Sequence, residues 1–142
     1  IPKSTRTNID HAIKRTLEII HKKSVILLIS DFIDKDYEQS LRLLARRHDL
    51  VVLHLKDDRE TQLPNLGIVP VYDNESRKTV WVNTSSKDFR NRLEKTYTSN
   101  KGELETFCKK NQINYLEINT KDNYVPQLIK LFKIRNKNSK RD

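Results

Sequence analysis

The run SVILLIS, Ser24–Ser30, is apolar, of strand length and without alternation, and it stops at Asp31. An unbroken run of this kind marks a strand covered on both faces, the situation of strands in a parallel sheet. Before it, residues 8–22 place Ile9, Ala12, Ile13, Leu17 and Ile20 at helical spacing. Thr7, with Asp10 three residues on, resembles a capping box with Asp in the Glu position. After it, residues 36–47 predict a second helix that buries Tyr37, Leu41, Leu44 and Ala45. Leu50–Leu55 follows as a second strand, interrupted by His54 and ending in Asp57 and Asp58.

Beyond a loop with Pro64 and Gly67, Ile68–Tyr72 and Lys78–Val82 predict a β-hairpin about residues 73–76. Ser85 or Ser86 caps a long helical stretch carrying Phe89, Leu93, Tyr97, Leu104, Phe107 and Cys108, which Gly102 can break in two. Tyr115–Asn119 is a third strand. Tyr124–Arg135 is a last helix, with Pro126 near its first turn, where proline is tolerated. Helices alternating with buried strands predict an α/β, Rossmann-like fold: a mainly parallel sheet with flanking helices, plus the hairpin. The expected organisation is one domain over residues 1–135 and a disordered basic tail over 136–142.

At 142 residues the chain has room for one domain with a real core. It holds no methionine and begins at Ile1, which reads as a processed or excised piece of a longer protein. Its longest apolar run, Val25–Ile29, falls far short of the roughly 20 residues that span a bilayer. The expected location is cytoplasmic, without membrane contact by this piece, an upstream anchor in the intact protein being left open. The single cysteine, Cys108, lies in an amphipathic pattern and reads as a buried thiol. The net charge of +9 is concentrated at the ends: residues 1–23 carry +4, residues 133–142 another +4, and residues 24–132 only +1. No nucleic-acid partner is therefore expected, the basic ends serving solubility.

Residue types exclude several chemistries. The two glycines, Gly67 and Gly102, cannot build a P-loop or a dinucleotide fingerprint, which need several glycines to bring backbone amides against phosphate. No G-x-S-x-G elbow occurs. His11, His21, His48 and His54 show no zinc-ligand spacing, and His54 reads as a satisfied core or edge histidine. One acidic constellation stands out. In open α/β sheets ligands lie beyond the carboxyl ends of the strands, where Asp31, Asp57 and Asp58 fall and where Thr7 could reach. Such oxygens suit Mg²⁺. The plainer reading of the same residues is a strand end, a helix cap and a solvated loop.

The phrases ISDFID (Ile29–Asp34), RRHDLVVLHLKDDRETQLPNLGIVPVYD (Arg46–Asp73) and TVWVNTS (Thr79–Ser85) together resemble the bacterial family known as domain of unknown function 58. The likeness runs over residues 5–135 in order and spacing. It implies a von Willebrand factor A-like domain lacking its first strands. By that resemblance Thr7 and Asp31 are the remnant of a metal-ion-dependent adhesion site. The D-x-S-x-S loop that defines the site is not among these residues. No cofactor is thus expected in this piece, with Mg²⁺ left to the intact protein. The resemblance also implies a partner, a MoxR-type AAA+ ATPase, and assembly or chaperone-like work. Finally, it places a missing strand beside Ser24–Ser30, so self-association through that edge is expected.

The expected function is a non-catalytic interaction or adaptor module. Two alternatives stand beside it: a nucleic-acid-binding domain using the basic termini, and a metal-dependent phosphoester hydrolase using Asp31, Asp57 and Asp58. The charge distribution sets a test of the first alternative. Removing residues 136–142 should lower retention on heparin, and any binding should vanish by about 200 mM salt. Tight, sequence-selective binding that survives both would overturn the non-nucleic-acid reading.

Overall fold

Regular structure follows the chain as α1 (Ile9–Ile19), β1 (Val25–Ser30), α2 (Glu38–Arg47), β2 (Asp49–Lys56), β3 (Ile68–Asp73), β4 (Lys78–Asn83), α3 (Lys87–Lys110), β5 (Asn114–Asn119) and α4 (Val125–Asn138). This computed structural model describes residues 8–57, 65–73 and 77–138. The chain divides into two compact units, residues 1–56 with 105–142 and residues 57–104. The division falls inside α3, between Leu104 and Glu105. Gly102 does not end that helix.

The first unit is a parallel sheet in the order β1-β2-β5, with Leu27 beside Val51 and Leu53 beside Leu116 in register. Its centre is β2, where Leu50, Val51, Val52, Leu53 and His54 are all buried. On one face Val51, Leu53 and Ile118 form a cluster that Leu128 and Leu131 of α4 cover. Toward the other face lie α2, which packs on β2, and α1, which packs on α2. Ile9, Ile13, Leu41 and Leu44 are the buried apolar side chains of this helix pair, one stripe on each helix at i, i+4 or i, i+3 spacing.

Two expectations are corrected here. Ser24–Ser30 is not buried on both faces: Val25, Leu27 and Ile29 are 54%, 48% and 56% exposed. The reason is position, since among the described residues β1 has a strand neighbour on one side only and lies outside the cluster that α4 covers. The doubly covered strand is β2. The cap of α1 is Asn8, whose side-chain oxygen accepts from the His11 backbone N–H at 2.7 Å, while Thr7 lies outside the described residues. Asp10 serves a different end. It accepts from the Ser40 hydroxyl on α2 and pairs with Lys14 at 2.7 Å, and these hydrogen bonds, Lys14 first, hold its carboxyl below the usual range.

Further polar ties fix the layers. Asp34, in the loop after β1, accepts from the Ile9 backbone N–H at 2.7 Å. Arg135 of α4 pairs with Asp49 at the start of β2. Cys108 is fully buried, and burial, with Glu105 nearby, pushes its thiol up to about 12. The last helix continues through Asn138, past the end expected for it at Arg135.

In the second unit β3 and β4 pair antiparallel, Pro70 opposite Trp81 and Val71 opposite Val80. Buried Thr84 closes the base of this hairpin. Its hydroxyl donates to the Gly67 carbonyl at 2.9 Å and accepts from the Leu66 N–H at 3.1 Å. Gly67 takes a φ of 71°, a conformation that glycine adopts without strain. Ser86 then opens α3, its carbonyl accepting from the Arg90 N–H and its hydroxyl from the Phe89 N–H.

The packing of α2 makes a contrast that equilibrium urea unfolding can read. Leu41→Ala, at a position with no exposure, should cost about 2–5 kcal/mol. Leu43→Ala, on the solvent side of the same helix, should stay within about 0.5 kcal/mol of the parent. Equal effects would show that α2 does not present this face to the sheet.

Candidate functional site at the carboxyl edge of the sheet

Because β1, β2 and β5 are parallel, their carboxyl ends share one edge. There the loop from Asp31 to Tyr37 leaves β1 and enters α2. The loop is organised by His54, the last fully buried residue of β2 and the register partner of Ser30. His54 Nε2 lies 3.1 Å from the Asp31 carbonyl oxygen, and Nδ1 lies 2.7 Å from the Tyr115 hydroxyl on β5. A carbonyl can only accept, so Nε2 carries a proton; in the neutral ring Nδ1 then accepts from the Tyr115 O–H. His54 is thus a satisfied buried histidine, as its sequence context predicts.

Phe32 shows what this anchoring does. Its φ is 55°, a left-handed conformation that costs a bulky residue on the order of 1 kcal/mol. The ring is buried edge-on against His54, centroids 5.5 Å apart, and tilted against Tyr37 at 5.7 Å. The burial offsets the strain and turns the chain sharply after the strand. Asp36, with a φ of 61°, makes the second turn. Burial, with Glu38 close by, pushes the Tyr37 hydroxyl up to about 12.

Asp31 itself is exposed at the mouth of this loop. Its Oδ1 accepts from the Ser30 hydroxyl at 3.2 Å and from the Ile33 N–H at 3.4 Å. Asp57 directly follows β2, whereas Thr7 and Asp58 lie outside the described residues. Among the described residues no three His, Cys, Asp or Glu side chains stand close enough to hold a metal. His11 and His21 are exposed and His48, like His54, is buried. Asp31 with the neighbouring Ser30 hydroxyl supplies at most two of the six oxygens of a near-octahedral Mg²⁺ set. The residues that hold the loop, Tyr115, Phe32 and Asp34, are not marked by the sequence pattern as site residues. Phe32 and Asp34 do fall in the phrase ISDFID that carries the family resemblance, and Tyr115 is an aromatic at the head of a predicted strand.

The match to known families comes from the first part of the chain. The family described as Protein of unknown function DUF58 matches residues 1–103. The chain belongs to the DUF58 family. The match takes in α1 through the hairpin and most of α3, so the Asp31 loop and β2 lie within it. It is shorter than the span expected from resemblance, since β5 and α4 lie beyond it. No curated protein and no solved structure shows significant similarity to the chain. Among the described residues no helix is long and apolar enough to cross a membrane.

The donor set at Asp31 leads to a measurable expectation. Isothermal titration of the 142-residue chain should give a dissociation constant for Mg²⁺ or Mn²⁺ no tighter than about 1 mM. A micromolar site abolished by Asp31→Ala would overturn it and favour a working adhesion site in this chain.

Proposed function

We propose that this DUF58 chain is a non-catalytic interaction module that works with a MoxR-type AAA+ ATPase in assembly or chaperone-like tasks. On this reading its α/β unit is a von Willebrand A-like domain, for which the parallel sheet with α1, α2 and α4 alternating along the chain is the support. The ATPase partnership rests on the family resemblance.

One observation carries the interaction reading: the β-hairpin offers an apolar, aromatic face to solvent. Cross-strand partners share a face, so Ile68, Pro70 and Tyr72 lie on the same side as Thr79, Trp81 and Asn83. Trp81 is 69% exposed, Ile68 65% and Tyr72 59%. Isolated exposed apolar residues are ordinary, but a contiguous group centred on Trp and Tyr has the composition of a binding hot spot. Family membership extends over the whole hairpin. The face holds no titratable group fit for acid–base chemistry apart from the Tyr72 phenol, which suits it to contact.

Binding of the purified chain to the MoxR-type ATPase of the same organism, measured by surface plasmon resonance with ATP and with ADP, tests the proposal. The parent should bind, and Trp81→Ala with Tyr72→Ala should weaken binding at least about tenfold with an unchanged circular dichroism spectrum. Leu43→Ala serves as the surface control and should have no effect. No binding at about 100 μM with either nucleotide, or binding indifferent to both hairpin substitutions, would sink the reading.

A further inference from the structure

Each strand of the first unit is entered from a helix, so the ends of α1, α2 and α3 gather at the amino edge of the parallel sheet. The connections are short: His48 alone joins α2 to β2, and residues 111–113 join α3 to β5. Cations stand before every strand, Lys22 and Lys23 before β1, Arg46 and Arg47 before β2, Lys109 and Lys110 before β5. All six are exposed, and none is ion-paired among the described residues. Of the acidic residues close to them in the chain, Asp49 pairs with Arg135 and Glu18 with Arg15, while Glu105 sits a turn back on α3. Acids take the opposite edge, where Asp31, Asp34 and Asp36 follow β1. The eight residues of β2 hold the two edges about 25 Å apart, well beyond the Debye length of about 8 Å at physiological salt. Residues 24–132, nearly neutral as a count along the chain, are thus polarised in space.

Cations in the last turn of a helix complement its macrodipole, which accounts for Arg46, Arg47, Lys109 and Lys110 taken singly. It does not account for Lys22 and Lys23, which follow an α1 whose last turn holds no basic residue. Nor does it offset the repulsion among three like-charged pairs brought together on adjacent strands. We propose that the amino edge of the sheet docks an acidic, extended segment of a protein partner along this row of pairs. The row is centred on β2, so it does not depend on what lies beside β1. Strands about 4.8 Å apart make it about 10 Å long, and alternate side chains of an extended segment share a face about 6.8 Å apart. Two or three carboxylates on one side of such a segment therefore match it. Arg46 and Arg47 add planar guanidinium forks, which take a carboxylate through two N–H donors at a time. A nucleic acid is served less well, since no exposed aromatic stands among residues 20–24, 46–49 and 109–113 for a base to stack on. A membrane surface meets a plane of cations with apolar anchors, whereas these lie in a line. Such docking rests on the interaction reading and names the partner's chemistry, but it uses neither the hairpin nor the ATPase.

Fluorescence anisotropy of a labelled peptide of alternating Glu and Ser, about twelve residues long, titrated with the 142-residue chain in about 100 mM salt, is the test. The parent should bind with a dissociation constant below about 100 μM, and the same peptide with Lys in place of Glu should not bind. Arg46→Glu with Arg47→Glu, and separately Lys109→Glu with Lys110→Glu, should weaken binding about tenfold or more. Lys87→Glu with Lys95→Glu makes the same change of net charge in the second unit and should stay within about twofold of the parent, as should Trp81→Ala. A Glu in the last turn opposes the helix dipole. If those variants fail to fold, the Gln variants at the same two pairs decide, each expected to weaken binding about threefold with the parent's circular dichroism spectrum. No binding by the parent at about 1 mM chain, indifference to both edge pairs, or equal loss from the Lys87 and Lys95 control would overturn the docking site. So would duplex DNA or phosphatidylglycerol vesicles binding more tightly than the peptide through the same residues. Because Trp81 and the ATPase take no part here, failure of this edge leaves the hairpin reading standing, and failure of the hairpin leaves this one.

Discussion

Leu50 to His54 are withdrawn from water, so the backbone of β2 needs a strand along each edge. That demand organises the first unit. β1 supplies one edge and β5 the other, and both run parallel to β2. Parallel neighbours require long connections across the faces of the sheet, and α2 provides the one between β1 and β2. The path from β2 to β5 is longer and holds the hairpin and α3, which is how a second compact unit comes to lie within the sequence of the first. α4 then returns over Val51, Leu53 and Ile118, with Arg135 paired to Asp49 at the opposite end of β2 from the loop.

A histidine inside such a strand needs an explanation of its own. Burying imidazole without partners costs on the order of 1–3 kcal/mol, and His54 avoids this by bonding to both neighbouring strands' ends, Tyr115 on β5 and the Asp31 carbonyl after β1. The price of a polar core position is met by order at the sheet edge. With Asp31 held from below, Phe32 can be kept at positive φ and Asp34 can reach the N–H that opens the first helix. The loop is therefore an extension of the core, and its shape follows from β2 as much as from its own residues.

Much of this is legible in the sequence because apolar periodicity reports existence and type of element well. The three parallel strands, the hairpin and the helices all fall within a few residues of where periodicity puts them. What periodicity cannot report is neighbourhood. Val25–Ile29 and Leu50–Leu55 are both apolar runs, the second interrupted by His54. The interrupted run is the buried one, because His54 finds a partner in Tyr115, 61 positions along the chain. The cap of α1 shows the same limit at short range. Thr7 and Asn8 are both competent caps by type, and Asn8 is the one that meets the His11 N–H. Gly102, which by type can break the long helical stretch, is accommodated within it, and the two compact units divide close by, between Leu104 and Glu105. Of the candidate site, Asp31 stands at the strand end where the sequence places it, but the residues that shape its surroundings come from β2 and β5.

Asp31 is where these threads meet. Its main-chain carbonyl belongs to the core through His54, while its side chain stands in solvent at the end of β1. A carboxylate with one hydroxyl and one N–H donor has lone pairs to spare. Its position is set by β2 as much as by β1, because the His54 ring that holds the Asp31 carbonyl is itself buried and bonded to Tyr115 on the far side.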